Sequence, residues 1–363
     1  MKERVKQLVG YHHWKHLFEK YERILMPVSL LIGVAVDFFT FWAIELNTTF
    51  LILGVHIILA GAAIIFLNTT NQRKFFSYAR LIAPFILQFS FGALLSASLI
   101  FYWFSGALSV SWPLLFLFAI LMMSNEVFRH YYLKPLIQLS VYFFVLFSIL
   151  SLVFPSLLNS LDVQIFILSG LSGLIFIFVL VFVLSRFLPS VKHVQRSVFA
   201  SVLIIFALMN SFYFLDLIPP IPLSLRDATV AHSIEHGARG YVLQVEDGNW
   251  IDQFLPGEVI HLPIGKPVYV YSAIFAPAAL HTNIFHQWQY FDETKHVWIN
   301  KDRLSFPIKG GRDGGYRGYS LKTVVAPGKW RVNVQTERGQ TVGRVGFVVE
   351  TVDERPELTE VIK

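Results

Sequence analysis

The segment HSIEH contains His232, Glu235 and His236, residue types that bind zinc in some metalloproteases. In the H-x-x-E-H arrangement both histidines bind the metal and the glutamate is the base, provided that the segment is a helix and a further ligand follows. Asp227 before it and Gly237 after it suit the ends of a short helix. The region downstream predicts strands, so no second helix brings a ligand. We therefore expect incidental polar residues and neither a metal nor another cofactor.

Three polar residues interrupt apolar stretches of the chain, namely Asp37, His56 and Asn210. At 1.5 Å per helical residue, each is expected ~11 Å below the outer membrane surface. Ionisable groups at such depth mark functional sites, so this polar layer could be a proton-relay pair or an anchor for a lipid head group. Alternatively, Asp37 and His56 hydrogen-bond each other and lock a helix hairpin.

A second cluster lies in NEVFRHYYLK, where Asn125, Glu126, Arg129 and His130 follow an apolar stretch. Glu126 is three residues before Arg129 and four before His130, so the three share one face of a helix. A salt bridge that ends a membrane span explains this pattern. An acid/base site at the inner face also fits, although the short neighbouring loops offer little to hold a substrate.

The glycine-rich stretch GGRDGGYRGYS provides most of the candidate recognition residues. It lacks the spacing and the following helix of a phosphate-binding loop. Glycines there allow positive φ and close backbone approach, as in a tight corner between strands. An exposed loop that holds an anionic ligand is the alternative. The candidates for outer recognition are Arg312, Asp313, Tyr316, Arg317 and Tyr319, together with His286.

His286 also belongs to a predicted strand on which it shares one face with Trp288 and Tyr290. Such an aromatic face can stack on a sugar or a peptide, or it can form half of a sandwich core. In the neighbouring segment PGKWRVNV, the alternation turns Trp330 and Val332 to one face and Arg331 and Asn333 to the other.

Composition separates the chain into two regions. Only 15% of its 363 residues are charged and its mean hydropathy is +0.56. Soluble domains carry about 25% charged residues. Residues 24–218 are almost all apolar, whereas residues 219–363 hold 16 Lys+Arg and 16 Asp+Glu. The net charge of +6 therefore comes from residues 1–218, where basic residues of the N-terminal tail and the loops set membrane topology, and nucleic-acid binding is not expected.

Seven stretches are long enough to span a bilayer, which takes ~20 apolar residues. They are predicted at 24–44, 48–67, 81–103, 106–123, 135–154, 163–184 and 197–218. Alternate loops carry Lys and Arg, so the N-terminus is expected in the cytoplasm and everything after Pro219 outside. Residues 1–23 form a basic amphipathic segment, expected as a helix on the cytoplasmic leaflet.

The outer region predicts a β module. Short segments rich in Val, Tyr, Trp and Phe alternate with turn signals, as in an Ig-like sandwich. We place a linker with a short helix at 219–239, the sandwich at 240–351 and a polar tail at 352–363. The chain contains no cysteine, which excludes a disulfide framework and cysteine-ligated metal.

Several motifs together resemble a bacterial membrane-protein family known by its C-terminal module, domain of unknown function 2914. They are IPPIPLSL, SAIFAPAALHTNIFHQWQYF, FPIKGGRDGGYRGYS, PGKWRVNVQTERGQTVGRVGFVV, GVAVDFFTFWAIE and MMSNEVFRHYYLKP. The resemblance covers nearly the whole chain. It implies a helical membrane domain followed by a β-rich extracytoplasmic module, and it implies no biochemical activity.

Three functions fit these patterns. The first is a non-enzymatic protein of the bacterial cytoplasmic membrane, whose outer module binds an envelope glycan, peptide or protein partner. The second is a membrane enzyme or transporter that uses the polar layer. The third is a scaffold or assembly factor whose membrane part binds another membrane protein.

Overall fold

The computed structural model describes residues 46–69, 74–105, 108–128, 130–220, 223–237, 240–246, 258–276, 281–309, 315–354 and 356–363. Long apolar runs form its helices, two of which begin at a proline, whose fixed φ suits the first helical turn. The helices are α1 (Leu46–Asn68), α2 (Lys74–Ser105), α3 (Leu108–Val127), α4 (Pro135–Leu158), α5 (Val163–Phe187) and α6 (Pro189–Phe214).

Six helices of the described part are long and apolar enough to span a membrane, which indicates a multi-pass membrane protein. They cover the last six predicted spans. The first predicted span and the segment 1–23 lie outside the described residues. The largest boundary difference is in α6, which begins at Pro189 and not at residue 197. Lys192 and Arg196 therefore belong to the helix, because charge ends an apolar run but does not end helical hydrogen bonding.

The structure divides into two compact units. The first comprises the described residues up to Ile100, together with Leu115–Leu150 and Leu168–Met209. The second comprises Phe101–Leu114, Ser151–Ile167 and Asn210–Lys363, and it contains all the strands.

The strands of the second unit form three sheets. Their bounds are β1 (Ser224–Ala231), β2 (Ser233–Gly237), β3 (Gly240–Glu246), β4 (Glu258–Pro263), β5 (Val268–Phe275), β6 (His281–Asp292), β7 (Val297–Lys309), β8 (Tyr316–Lys322), β9 (Gly328–Thr336), β10 (Thr341–Val352) and β11 (Leu358–Ile362). The sheet orders are β4-β10-β9-β6-β7, β1-β5-β8 and β11-β3-β2. All pairs are antiparallel except β4 with β10.

The main core lies between the five-stranded sheet and the β1-β5-β8 sheet. Trp288 of β6, Trp330 of β9 and Phe347 of β10 pack there against Val268 and Val270 of β5. The opposite face of β5 is also covered, because its Tyr271 and Ala273 pack against β3 and the β1–β2 segment. The strand β5 is therefore buried on both faces, in the middle of three layers.

The prediction of a short helix within 219–239 is wrong, because the described residues after Leu223 form β1 and β2. Pairing of β1 with β5 over Ser224–Ala231 overrides the local helix signals. The polar tail at 352–363 is also wrong in part, because Leu358–Ile362 form β11 and pair with β3. The β-rich architecture of the C-terminal region is confirmed, but its strands form three sheets, one more than a two-sheet sandwich has.

Two glycines of β10 make a matched pair for testing how β1 packs on β10. A Cβ on Gly343 would lie 2.8 Å from Leu225 Cβ of β1, whereas a Cβ on Gly346 would meet nothing within 4 Å. We expect Gly343→Ala to lower the free energy of unfolding by about 1–3 kcal/mol through overpacking. Gly346→Ala should change it by less than about 0.5 kcal/mol. Urea-induced unfolding followed by pulse proteolysis measures both, and equal losses would contradict the packing of β1 on β10.

Candidate functional site

The face of the five-stranded sheet opposite the main core carries a connected polar group, of which three side chains are half-buried and one, Asn333, is buried. We call it the arginine face and define it by Gln289 of β6, Arg331 and Asn333 of β9, and Arg344 of β10. The neighbouring residues in these strands, Trp288, Trp330, Val332 and Val345, pack into the core, so strand alternation turns the arginine face outward. The four positions adjoin because Gln289 pairs with Arg331 and Asn333 with Arg344.

Amide oxygens hold both arginines in place. Arg331 Nε donates to Gln289 Oε1 at 2.6 Å, and Arg344 Nε donates to Asn333 Oδ1 at 2.6 Å. Asn333 Nδ2 also donates to Gln289 Oε1 at 3.0 Å, which joins the two halves. The guanidinium of Arg331 additionally stacks on Trp298 of β7, 4.1 Å from the ring centre. Each guanidinium is thus positioned through its Nε, and its two terminal nitrogens are left for other contacts.

The charge of the arginine face is not compensated within the described part of the chain. No carboxylate there forms an ion pair with Arg331 or Arg344. Burial, and then the charge of Arg344, lower the pKa of Arg331 to about 10. Burial also lowers the pKa of Arg344. Two cations held side by side without a counter-ion form a surface that attracts an anion.

His286 lies on the opposite face of β6, where it is fully buried between two sheets. Its Nε2 lies 2.9 Å from Ser272 Oγ and its Nδ1 lies 2.7 Å from Ser320 Oγ. Trp288 Nε1 donates to Ser320 Oγ at 3.0 Å. Burial lowers the pKa of His286 to about 3, so its ring is neutral at physiological pH. This position gives a ligand no access, and His286 serves the core together with Trp288.

The histidines of HSIEH do not converge. His232 is buried between β1 and β2, whereas Glu235 and His236 are exposed on β2. No group of three or more His, Cys, Asp or Glu in the described ranges is arranged to hold a metal ion. Because β2 is a strand, the spacing that suits zinc on a helix is lost.

His232 instead contributes to a cluster centred on Glu246. Glu246 Oε1 lies 2.8 Å from His232 Nε2 and accepts the backbone N–H of His261 at 2.7 Å. Glu246 Oε2 lies 2.7 Å from His261 Nδ1. Burial opposes the charged carboxylate, but the hydrogen bonds from His261 and His232 outweigh it and lower the pKa of Glu246. The hydrogen bond to Glu246 in turn raises the pKa of His261.

We expect Glu246→Gln to lower the free energy of unfolding by about 1–3 kcal/mol, because a charged acceptor of three hydrogen bonds becomes a neutral amide. The depressed pKa of Glu246 adds stability above its ordinary value of 4.5, and this is lost as pH falls through the folded pKa. The raised pKa of His261 adds stability below 6.5, and this is lost as pH rises through the folded pKa. Unfolding measured from pH 3 to 9 tests both, and an unchanged pH profile in the variant would refute the cluster.

The glycine-rich stretch is described from Gly315 onward, and Arg312 and Asp313 lie outside the described residues. Gly315 has φ of 82°, and a Cβ there would lie 2.9 Å from the backbone of Ile274. Arg317 Nη1 donates to the carbonyl of Lys363 at 3.0 Å. Tyr316 packs beside a core cluster, whereas Tyr319 is 40% exposed. These contacts favour the structural corner over the recognition loop.

In the first unit, Asn125 and Glu126 form hydrogen bonds with Gln88, a residue that sequence reasoning did not single out. Asn125 Nδ2 donates to the carbonyl of Gln88 in α2 at 3.0 Å. Gln88 Nε2 donates to Glu126 Oε2 at 3.3 Å. His130 packs against Tyr131, with 4.2 Å between ring centres, and Arg129 lies outside the described residues. Asn125 and Glu126 thus join α3 to α2 as part of the helix packing.

The polar layer remains a prediction. Asp37 lies outside the described residues. His56 of α1 contacts Phe89 of α2, with 5.4 Å between ring centres, and Asn210 is half-buried in α6. A buried contact between helices was missed, in which Asn68 Nδ2 donates to Gln138 Oε1 at 2.7 Å. Both residues lie near helix ends, and no local signal indicates that the two ends meet.

The helices and sheets define a class, namely a multi-pass membrane protein with a C-terminal β module. Residues 281–349, which include the whole arginine face, match the family described as Protein of unknown function (DUF2914), and this confirms the resemblance for that C-terminal region. No curated protein matches the chain.

One solved structure, Pseudomonas fluorescens alkylpurine DNA glycosylase AlkC bound to DNA containing an abasic site analog, is 10% identical. The match covers 90% of this chain and 98% of that one with a TM-score of 0.23, a value that supports no conclusion about fold or function.

Proposed function

We propose that this chain is a non-enzymatic protein of the bacterial cytoplasmic membrane, whose C-terminal β module lies outside and binds an envelope glycan. The observation that carries the proposal is the arginine face, in which two guanidinium groups are held by amide oxygens with no counter-charge among the described residues. Arginines are suited to the acidic groups of sugars. Within the module, the five-stranded and β1-β5-β8 sheets form the sandwich that we take as Ig-like.

The distribution of basic residues along the chain supports this location. Basic residues are concentrated in alternate loops, which predicts a cytoplasmic N-terminus and an external module. The chain has no cysteine, so single cysteines can report accessibility without background. Val324, which is 80% exposed, suits this purpose in the module, and Lys2 suits it at the N-terminus. In cells with a permeabilised outer layer, an impermeant maleimide should label Val324→Cys but not Lys2→Cys. The reverse pattern would exclude the proposed orientation.

Binding is tested with the full chain in lipid nanodiscs and purified peptidoglycan sacculi as the probe. We expect the chain to co-sediment with sacculi and Arg331→Ala/Arg344→Ala to weaken this at least tenfold, because each lost charge-assisted hydrogen bond contributes about 1.5–3 kcal/mol. Lys266→Ala/Lys295→Ala removes the same charge at exposed turn positions and is the matched control. If sacculi do not retain the unaltered chain, or if the control loses as much binding, the proposal fails.

A further inference from the structure

The two guanidinium groups of the arginine face belong to neighbouring strands of the sheet. Arg331 and Arg344 lie on adjacent antiparallel strands, and Asn333, next to both, is only 4% exposed. Because each Nε is bound to an amide oxygen, neither guanidinium can turn over without breaking that hydrogen bond. Up to four further N–H groups per arginine are therefore presented by a fixed support.

Open surface lies beside these groups. Gly346 is the cross-strand partner of Arg331 and lies two residues after Arg344 on β10. A side chain there would point to the same face, and a Cβ would meet nothing within 4 Å. The absence of a side chain therefore leaves open space above the backbone next to both arginines.

Charge and shape together select the occupant. The two cations repel each other, and a single anion between them would convert this repulsion into attraction. A carboxylate is planar and accepts two parallel N–H groups from one guanidinium.

We propose that a carboxylate of the envelope glycan lies over Gly346 and is held by Arg331 and Arg344. This inference rests on the proposed function and specifies which chemical group of the glycan is recognised. It assigns Gln289 and Asn333 as positioning residues, because they orient the arginines.

The test uses the full chain in nanodiscs and three preparations of the same sacculi. One is untreated, one has its carboxyl groups amidated, and one has its phosphate-linked polymers removed with hydrofluoric acid. We expect amidation to weaken binding at least tenfold and removal of phosphate polymers to leave it unchanged. Unchanged binding after amidation overturns the carboxylate, and loss after acid treatment assigns the site to phosphate. If untreated sacculi do not bind, the proposed function itself has failed.

Two variants separate recognition from simple charge. Arg331→Lys/Arg344→Lys keeps both charges but loses the planar fork, so we expect at least tenfold weaker binding to untreated sacculi. Gly346→Val places a side chain where the carboxylate would lie without removing a charge, and the open space around its Cβ should leave folding intact. We expect the same loss of binding for it. Full binding by the folded Gly346→Val variant would overturn the placement of the carboxylate over Gly346.

Discussion

Replacement of Trp288 by alanine is expected to lower the free energy of unfolding of the β module by about 3–5 kcal/mol. Trp288 is fully buried, and its ring packs edge-on against Trp330 and Phe347 at 6.5 and 6.1 Å between centres. Its Nε1 also donates to Ser320 Oγ. The variant therefore leaves a cavity and removes a hydrogen bond from the buried network around His286.

The full chain in nanodiscs, unfolded with urea and probed by pulse proteolysis, measures this loss. Trp298→Ala is the matched control, because Trp298 lies on the outer face of the same sheet and is only half-buried. We expect it to cost less than about 1.5 kcal/mol, as for a partly exposed side chain. If the two variants lose similar stability, Trp288 does not occupy the centre of the core.

Acidification is expected to destabilise the module through His286. Burial lowers the pKa of His286 from 6.5 to about 3. Between these values the unfolded chain binds a proton that the folded module excludes, so the free energy of unfolding falls as pH falls. The slope approaches about 1.4 kcal/mol per pH unit for one such group.

His286→Gln removes the titrating ring and should flatten this slope between pH 6.5 and 4.5, whatever its effect on stability at neutral pH. The window lies above the range in which Glu246 becomes protonated and below the range in which the contribution of His261 is lost. His236→Gln, at an exposed position of β2, is the control and should retain the slope of the unaltered chain. An equally steep slope in both variants would show that His286 is not protected from protons.

Local sequence patterns predicted the apolar helices and the strands that are buried on one face. Apolar length identified six helices, and the alternation in PGKWRVNV placed Trp330 and Arg331 on opposite faces of β9. Both patterns are local, because the chain repeats them within one element. The choice between core and surface for His286 was not local, since it depends on a second sheet that supplies Ser272 and Ser320.

The arginine face and the Glu246 cluster were beyond sequence reasoning for the same physical reason. Alternation turned Arg331 and Asn333 outward, but only the cross-strand register brings Gln289 and Arg344 beside them. Likewise, Glu246 at the end of β3 meets His232, between β1 and β2, and His261 within β4 because three separate segments come together in the fold. The helix predicted near Asp227 failed because its capping signals are worth less than a full antiparallel pairing with β5.

The pairing of β11 with β3 has a consequence for the order of assembly. Leu358 pairs with Glu246, so one side of β3 has no partner until the chain has been synthesised more than a hundred residues beyond it. Contacts of such large sequence separation slow folding, and an open strand edge promotes mispairing with other chains. Pairing of residues 358–362 with β3 therefore closes this edge late in synthesis.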